Sequence, residues 1–296
     1  MKATGGFYYV DIPAGTQDSF PERYERVECR GRGVFRKRDI TPLVGDIAVI
    51  ERSSEDGSGS VVELLPRANS LVRPPLANLD RMVLVLSVTD PAPNLLVADT
   101  YLAILAHVEI DALIAITKAD IAPARELSSI YRRAGFTVYE ISPMGGIDEL
   151  RAALSCGVSA FCGNSGVGKS TLLNRIHPQL GLPTGQTSKK LGRGRHTTRH
   201  VELLTLPDGG LVADTPGFSS LEMLRMGHIP PSELALCFIE FAPFLGKCRF
   251  NDCSHTAETG CSVLDALSQG VIPKTRHDSY LTLYSQAKEV KEWEHR

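Results

Sequence analysis

The sequence predicts a multi-domain protein. An all-β N-terminal unit is followed by a central α/β unit on a mostly parallel sheet, then by a C-terminal metal-binding loop with helices. Three observations predict this. Short apolar–polar runs punctuated by turn residues occupy the chain up to about Arg67. A continuous apolar run, Arg81-Met82-Val83-Leu84-Val85-Leu86-Ser87-Val88, then opens a regular alternation of strand and helix patterns. After about Ser219 the strand patterns stop and cysteine and histidine cluster. The length of 296 residues, with 43% hydrophobic and 22% charged residues, suits two or three soluble domains.

In the first unit, Phe7-Tyr8-Tyr9-Val10, Tyr24-Glu25-Arg26-Val27-Glu28-Cys29 and Asp46-Ile47-Ala48-Val49-Ile50 read as strands. Pro13-Ala14-Gly15, Gly31, Gly33, Pro42 and Gly45 separate them, a spacing that predicts a small barrel or sandwich. Residues 53–60 are polar and rich in Gly and Ser, as at a hairpin tip. The run at 81–88 is apolar throughout, as in a strand covered on both faces. Beyond it, 94–107, 122–134 and 147–154 read as helices, and 111–117, 136–141 and 158–162 as strands, which predicts βαβ units. Residues 201–206 and 210–213 read as a strand pair. Pro230-Pro231 breaks the chain ahead of the Cys/His loop, and the tail from about Lys274 reads as helix. The expected domains are 1–68, 69–222 and 223–296.

The net charge of −2 and a sequence pI near 6.5 confine any nucleic-acid surface to a local patch. No apolar run approaches the roughly 18–20 residues of a membrane span. The start lacks the apolar core of a signal peptide, so a cytoplasmic location, with no membrane partner, is expected. In a reducing compartment seven cysteines form no disulfide framework, and a tight group of them reads as a metal site.

Gly163-Asn164-Ser165-Gly166-Val167-Gly168-Lys169-Ser170-Thr171 fits G-x-x-x-x-G-K-[ST], between a predicted strand and a predicted helix over 170–176. The glycines let backbone N–H groups converge on phosphate oxygens, and the helix N-terminus favours their charge. Lys169 then reaches the β- and γ-phosphates, and the Ser170 hydroxyl suits Mg²⁺. Asp214-Thr215-Pro216-Gly217 ends a later strand. Asp214 there can hold the metal and the Gly217 N–H can report a γ-phosphate. Residues 188–199, polar and charged, suit a switch segment with Thr197 or Thr198 as Mg²⁺ ligand.

Thr117-Lys118-Ala119-Asp120 follows the strand pattern at 111–117. A carboxylate at Asp120 accepts from the guanine N1–H and exocyclic amine, whereas adenine would leave it unpaired. Lys118 would lie over the ring. Thr117 stands where such motifs usually have Asn, so one hydroxyl replaces an amide. Ser142 falls where a third base-contacting loop belongs. These residues precede the phosphate motif, the reverse of the usual order in GTP-hydrolysing proteins. Because all such loops lie at the carboxyl ends of parallel strands, a circular permutation leaves the site intact.

Cys248, Cys253, His255 and Cys261 supply three thiolates and an imidazole, the ligand set of one structural, tetrahedral Zn²⁺. Cys29, Cys156, Cys162 and Cys237, and His107, His177, His228 and His277, carry no assigned role. Arg30, Arg32, Arg36, Lys37 and Arg38 beside Phe35 form a basic, aromatic segment suited to RNA, with Arg32, Phe35, Arg36, Lys37 and Arg38 as the candidate contacts.

Taken together the chain resembles the bacterial small-ribosomal-subunit-assembly GTPase family, RsgA. The carriers are Gly31-Arg32-Gly33-Val34-Phe35-Arg36, Thr41-Pro42-Leu43-Val44-Gly45-Asp46, Thr117-Lys118-Ala119-Asp120, the 163–171 loop, Gly194-Arg195-His196-Thr197-Thr198, Asp214-Thr215-Pro216-Gly217-Phe218 and the 248–261 cluster. The resemblance covers nearly the whole chain. It implies an OB-fold N-terminal domain, a circularly permuted GTPase with GTP or GDP and Mg²⁺, and a zinc domain. It also implies binding to the small ribosomal subunit and its rRNA, which stimulates hydrolysis late in assembly; a monomer is expected. The alternative is a GTP-switched protein acting on another structured RNA. Phe218 stands where many GTPases carry a water-orienting glutamine, so His196 becomes the catalytic candidate beside Lys169.

Overall fold

A computed structural model describes residues 2–4, 7–13, 24–31, 41–54, 56–71, 75–182, 202–214 and 229–289. The N-terminal sheet contains β1 (Lys2–Thr4), β2 (Phe7–Pro13), β3 (Tyr24–Gly31), β4 (Ala48–Arg52) and β5 (Gly59–Leu64), in the order β1-β2-β3-β5-β4. The first three pair antiparallel, β3 lies parallel to β5, and β4–β5 is a hairpin, a five-stranded Greek-key arrangement of the OB type. Period-two alternation explains its single packed face: Val27 and Cys29 are buried while Arg26, Glu28 and Arg30 are exposed. Gly59 is required beneath them, since a Cβ there would lie 2.6 Å from the Cys29 Sγ. The tip at 53–58 closes through the Ser53 N–H donating to the Ser58 carbonyl at 2.8 Å, as its composition predicts.

The segment at 41–46 clamps this sheet to the next unit. Both Asp46 carboxylate oxygens accept from Arg67, at 2.7 and 2.8 Å. Gly45 (φ +95°) passes so close to the Ala77 carbonyl that no side chain fits. A two-stranded ribbon, β6 (Ser70–Leu71) with β7 (Leu76–Ala77), follows. It has no counterpart in the sequence reading, because two-residue strands carry no periodicity.

The second sheet runs β10-β9-β8-β11-β13-β12. It is built from β8 (Arg81–Ser87), β9 (Asp111–Thr117), β10 (Thr137–Glu140), β11 (Val158–Cys162), β12 (Glu202–Thr205) and β13 (Leu211–Asp214). All pairs are parallel except β12–β13. Its helices are α1 (Leu95–His107), α2 (Arg125–Arg133), α3 (Ile147–Ala153) and α4 (Lys169–Ile176). The central strand explains the two-sided packing. Met82, Leu84 and Leu86 join the cluster of Tyr101, Leu102, Leu127 and Tyr131 from α1 and α2. Val83 and Val85 face Leu150, Leu172 and Ile176 of α3 and α4. Each such side chain contributes about 1.5–3 kcal/mol by leaving water.

Beyond residue 229 the chain forms α5 (Pro231–Leu234), two 3₁₀ turns (Ala235–Cys237 and Ile239–Phe241), α6 (Ser262–Ser268) and α7 (Lys274–Glu289). The prolines expected to break the chain instead start a helix: Pro231 occupies its first turn, where a missing N–H costs nothing. This unit packs on the outer side of α1, with Ala103 and Ile104 entering the Phe238, Phe241 and Tyr280 cluster. Arg276, fully buried, donates to Glu240 (2.6 and 3.0 Å) and to Asp99 of α1 (2.8 Å).

Candidate nucleotide site and metal cluster

Strand order reverses between β8 and β11: the chain runs outward from β8 through β9 to β10, then returns to the other side of β8. A crevice at the carboxyl ends of such a switch point is where open α/β sheets bind ligands. The parallel strands bring four of the predicted segments there. They are 117–120 after β9, 141–146 after β10, 163–168 after β11, and Asp214 at the end of β13.

The phosphate-type loop is held by its glycines. Gly163 has φ +142°, and a Cβ there would lie 2.3 Å from the Val85 carbonyl oxygen. Gly166 and Gly168 also have positive φ, the latter as the N-cap of α4. Ser170 and Thr171 therefore sit in the first turn of that helix, while Ser165 is exposed and Asn164 half-buried in the loop. The Lys169 ammonium donates to the Gly163 and Asn164 carbonyls, each at 2.7 Å. Burial lowers its pKa, and burial pushes the Cys162 thiol beneath it up to about 12. An ammonium short of water at the N-terminus of α4 is suited to an anion.

Thr117 joins this loop to the next. Its side chain is buried, and its hydroxyl lies 2.6 Å from the Val167 carbonyl oxygen and 3.1 Å from that of Leu86. The single hydroxyl thus still bridges the two loops. Lys118 follows at φ +59°, its ammonium bonded to the Asp90 carbonyl. Asp120 is exposed at the rim. Ser142 turns the third loop: its N–H donates to the Gly145 carbonyl at 3.1 Å, and its hydroxyl accepts from the Met144 N–H at 3.2 Å. Arg175 of α4 donates to the Ser142 carbonyl at 3.0 Å, tying this loop to the phosphate-loop helix.

In the C-terminal unit, Cys248, Cys253, His255 and Cys261 point one ligand atom each into a space where all four lie within 4.8 Å of one another, and could hold a metal ion. His277, which sequence reasoning left without a role, bonds through Nε2 to the His255 carbonyl at 2.9 Å. Tyr280 donates to the Ser254 carbonyl at 2.7 Å. Both sit on α7, so the long helix holds the ligand loop. Helical spacing at 277 and 280 was the available signal. His196, Thr197, Thr198 and Gly217 lie outside the described residues, as do Arg32, Phe35, Arg36, Lys37 and Arg38.

Two family models match the chain. A family model described as RsgA GTPase matches residues 64–224, and one described as RsgA N-terminal domain matches 1–61. The small ribosomal subunit biogenesis GTPase RsgA of Caldanaerobacter subterraneus subsp. tengcongensis is 42% identical over 294 residues, covering 98% of this chain and 95% of the relative. That of Geobacillus kaustophilus is 44% identical over 300 residues, covering 98% and 97%. Among solved structures, YloQ, a circularly permuted GTPase, superposes with a TM-score of 0.79 at 35% identity, covering 98% of this chain and 94% of that one. YjeQ from Thermotoga maritima gives 0.77 at 33% identity, covering 91% and 93%.

Proposed function

Because this chain belongs to the RsgA GTPase family, we propose that it hydrolyses GTP as an assembly factor in late maturation of the small ribosomal subunit, and that the subunit stimulates the reaction. The observation that carries the nucleotide reading is the Thr117–Val167 hydrogen bond. It joins the base-type loop and the phosphate-type loop at the sheet's switch point, although 163 follows 117 in the chain.

In this reading, residues 163–171 wrap the phosphates, and Lys169 exchanges its two carbonyl partners for β- and γ-phosphate oxygens. Asp120 reads the guanine N1–H and amine, Lys118 covers the ring, Thr117 sets the loop and Ser142 closes the far side of the base. Ser170, Thr197 or Thr198, and Asp214 are the oxygen ligands for Mg²⁺. Adjacent β11 and β13 favour this, since they end in the phosphate loop and Asp214. Bound there, Mg²⁺ would neutralise charge on the β- and γ-phosphates. Gly217 reports the γ-phosphate, and His196 orients the attacking water.

The metal cluster fits one structural zinc. Zn–S bonds of about 2.3 Å and a Zn–N bond of about 2.0–2.1 Å give tetrahedral edges of about 3.8 Å (S···S) and 3.5 Å (S···N). The Cys248–Cys261 sulfurs are 3.8 Å apart, and His255 Nδ1 lies 3.5 and 3.4 Å from Cys248 and Cys261. Ribosomal RNA is met by Arg32, Phe35, Arg36, Lys37 and Arg38. They continue from β3, whose exposed Arg30 stacks its guanidinium over Phe7 at 5.2 Å. The division into 1–68, 69–222 and 223–296, action as a monomer and a cytoplasmic location belong to the same proposal.

Multiple-turnover GTP hydrolysis with and without purified small subunits, in the native chain and in His196→Ala, tests it. Stimulation by the subunit, reduced on the order of 10²-fold or more by the substitution, is expected. An unstimulated rate would reject the ribosomal partner and direct the search to another structured RNA.

A further inference from the structure

We propose that residues 88–94, a strap that no nucleotide motif includes, set the base-reading loop, and that Ser87 is the positioning residue that folds this strap. The proposal rests on reading Lys118 and Asp120 as the base-contacting pair.

The strap leaves β8 at the switch point, opposite the phosphate loop that leaves β11. Ser87, fully buried, is the last residue of β8 and pairs with Thr117 across to β9. Its hydroxyl donates its one proton to the Pro91 carbonyl at 2.7 Å, which turns the strap back over the strand end. The Val88 N–H donates to the Thr117 carbonyl at 3.3 Å, fastening the start of the strap to the base loop. At the far end, the Asn94 side chain caps α1 by accepting from the Val97 N–H at 3.1 Å.

Folded in this way, the strap presents the Asp90 carbonyl to the Lys118 ammonium. Both residues hold left-handed backbone, Asp90 at φ +39° and Lys118 at φ +59°. Non-glycine residues adopt this rarely, and it persists only where neighbours over-determine it. The two strained positions face each other across the hydrogen bond, and Ser87 and Val88 hold one of them. The strap also reaches the phosphate loop: a Cβ at Gly166 would sit 3.5 Å from the Pro91 Cδ, and Ser87, Pro91, Gly163, Asn164 and Val167 line one narrow cleft. A lysine side chain is rich in rotamers, and freezing it during binding costs affinity. Anchored on Asp90, Lys118 is ordered before the base arrives. The strap therefore serves affinity for the base end of any guanine nucleotide and is indifferent to the γ-phosphate.

The test is equilibrium binding of fluorescent GDP and of a non-hydrolysable GTP analogue to the full chain, in Ser87→Ala, Lys118→Ala and the double variant. Ser87→Ala should weaken both nucleotides by the same factor, about tenfold, with kcat at saturating GTP unchanged within about twofold. The double variant should bind no more weakly than Lys118→Ala, because Ser87 acts through that lysine. Native affinity in Ser87→Ala, or losses that multiply in the double variant, would overturn the strap while leaving the base reading in place. Native affinity in Lys118→Ala would instead overturn the base reading itself. A measurement on the native protein needs no variant: in the nucleotide-free chain an amine-reactive reagent should modify Lys118 several-fold more slowly than exposed Lys247. Equal rates would also overturn the proposal.

Discussion

Replacing Arg276 by methionine should cost about 3–5 kcal/mol of stability in the docking of the C-terminal unit onto α1. The side chain is fully buried, and so are its partners: the Asp99 and Glu240 side chains are 1% and 3% exposed. Its guanidinium makes three hydrogen bonds to two carboxylates and lies over the rings of Phe238 (4.6 Å) and Phe136 (5.4 Å). Methionine keeps much of the volume but leaves both carboxylates buried without a cation. The lost ring contacts account for about 1 kcal/mol of the total and the stranded charges for the rest. The sign of the pH dependence follows from Asp99, whose carboxyl burial pushes up despite Arg276. A carboxyl with a raised folded pKa supports the fold fully below its unfolded value near 3.8, and that support is lost as pH rises through the folded value. Without the arginine the Asp99 carboxyl resists ionisation further, so the deficit of the variant should shrink from pH 7.5 to pH 5. Urea unfolding followed by far-UV circular dichroism, with hydrogen exchange localised to α7, measures it. Replacing Asp99, Glu240 and Arg276 together by apolar residues should recover most of the loss. A single-variant deficit below about 1 kcal/mol, or one independent of pH, would refute the argument.

Two further outcomes are expected. Thr117→Val keeps the shape of the side chain but leaves the Val167 carbonyl without its donor, so GDP affinity measured by calorimetry should fall about fivefold to a hundredfold; an unchanged Kd would show that the bridge does not set the loop. Atomic absorption should find one zinc per chain, and stripping it with a strong chelator, or substituting Cys261→Ser, should remove it and expose α7 to proteolysis; a resistant, zinc-free α7 would contradict a structural role.

Local chemistry made most of the site readable in one dimension. A phosphate loop needs closely spaced glycines, a lysine and a hydroxyl within nine positions of chain, and residues 163–171 carry them in one segment. The four residues that could hold a metal fall within fourteen positions, and the period-two and apolar patterns of 81–88, 111–117 and 158–162 reflect burial that each strand experiences along its own length. The reversed order of the motifs was equally legible, because parallel strands place every such loop at the same edge whatever order the chain visits them in. What the sequence left undetermined depends on partners far apart in the chain. Ser87 reads as the end of a strand until Pro91 folds over it, and Asp90 has no signature that would mark its carbonyl as the anchor of Lys118. His277 became a support for the Cys/His loop only when α7 was laid beside His255. Asp99 and Arg276 are 177 positions apart, and nothing in either neighbourhood foretells their pairing. Motifs and periodicities record what a residue needs from its own segment. Which buried polar group meets which is decided by the packing of segments against one another, since a carboxylate or hydroxyl can be satisfied by any suitably placed donor or acceptor and only the folded geometry selects one.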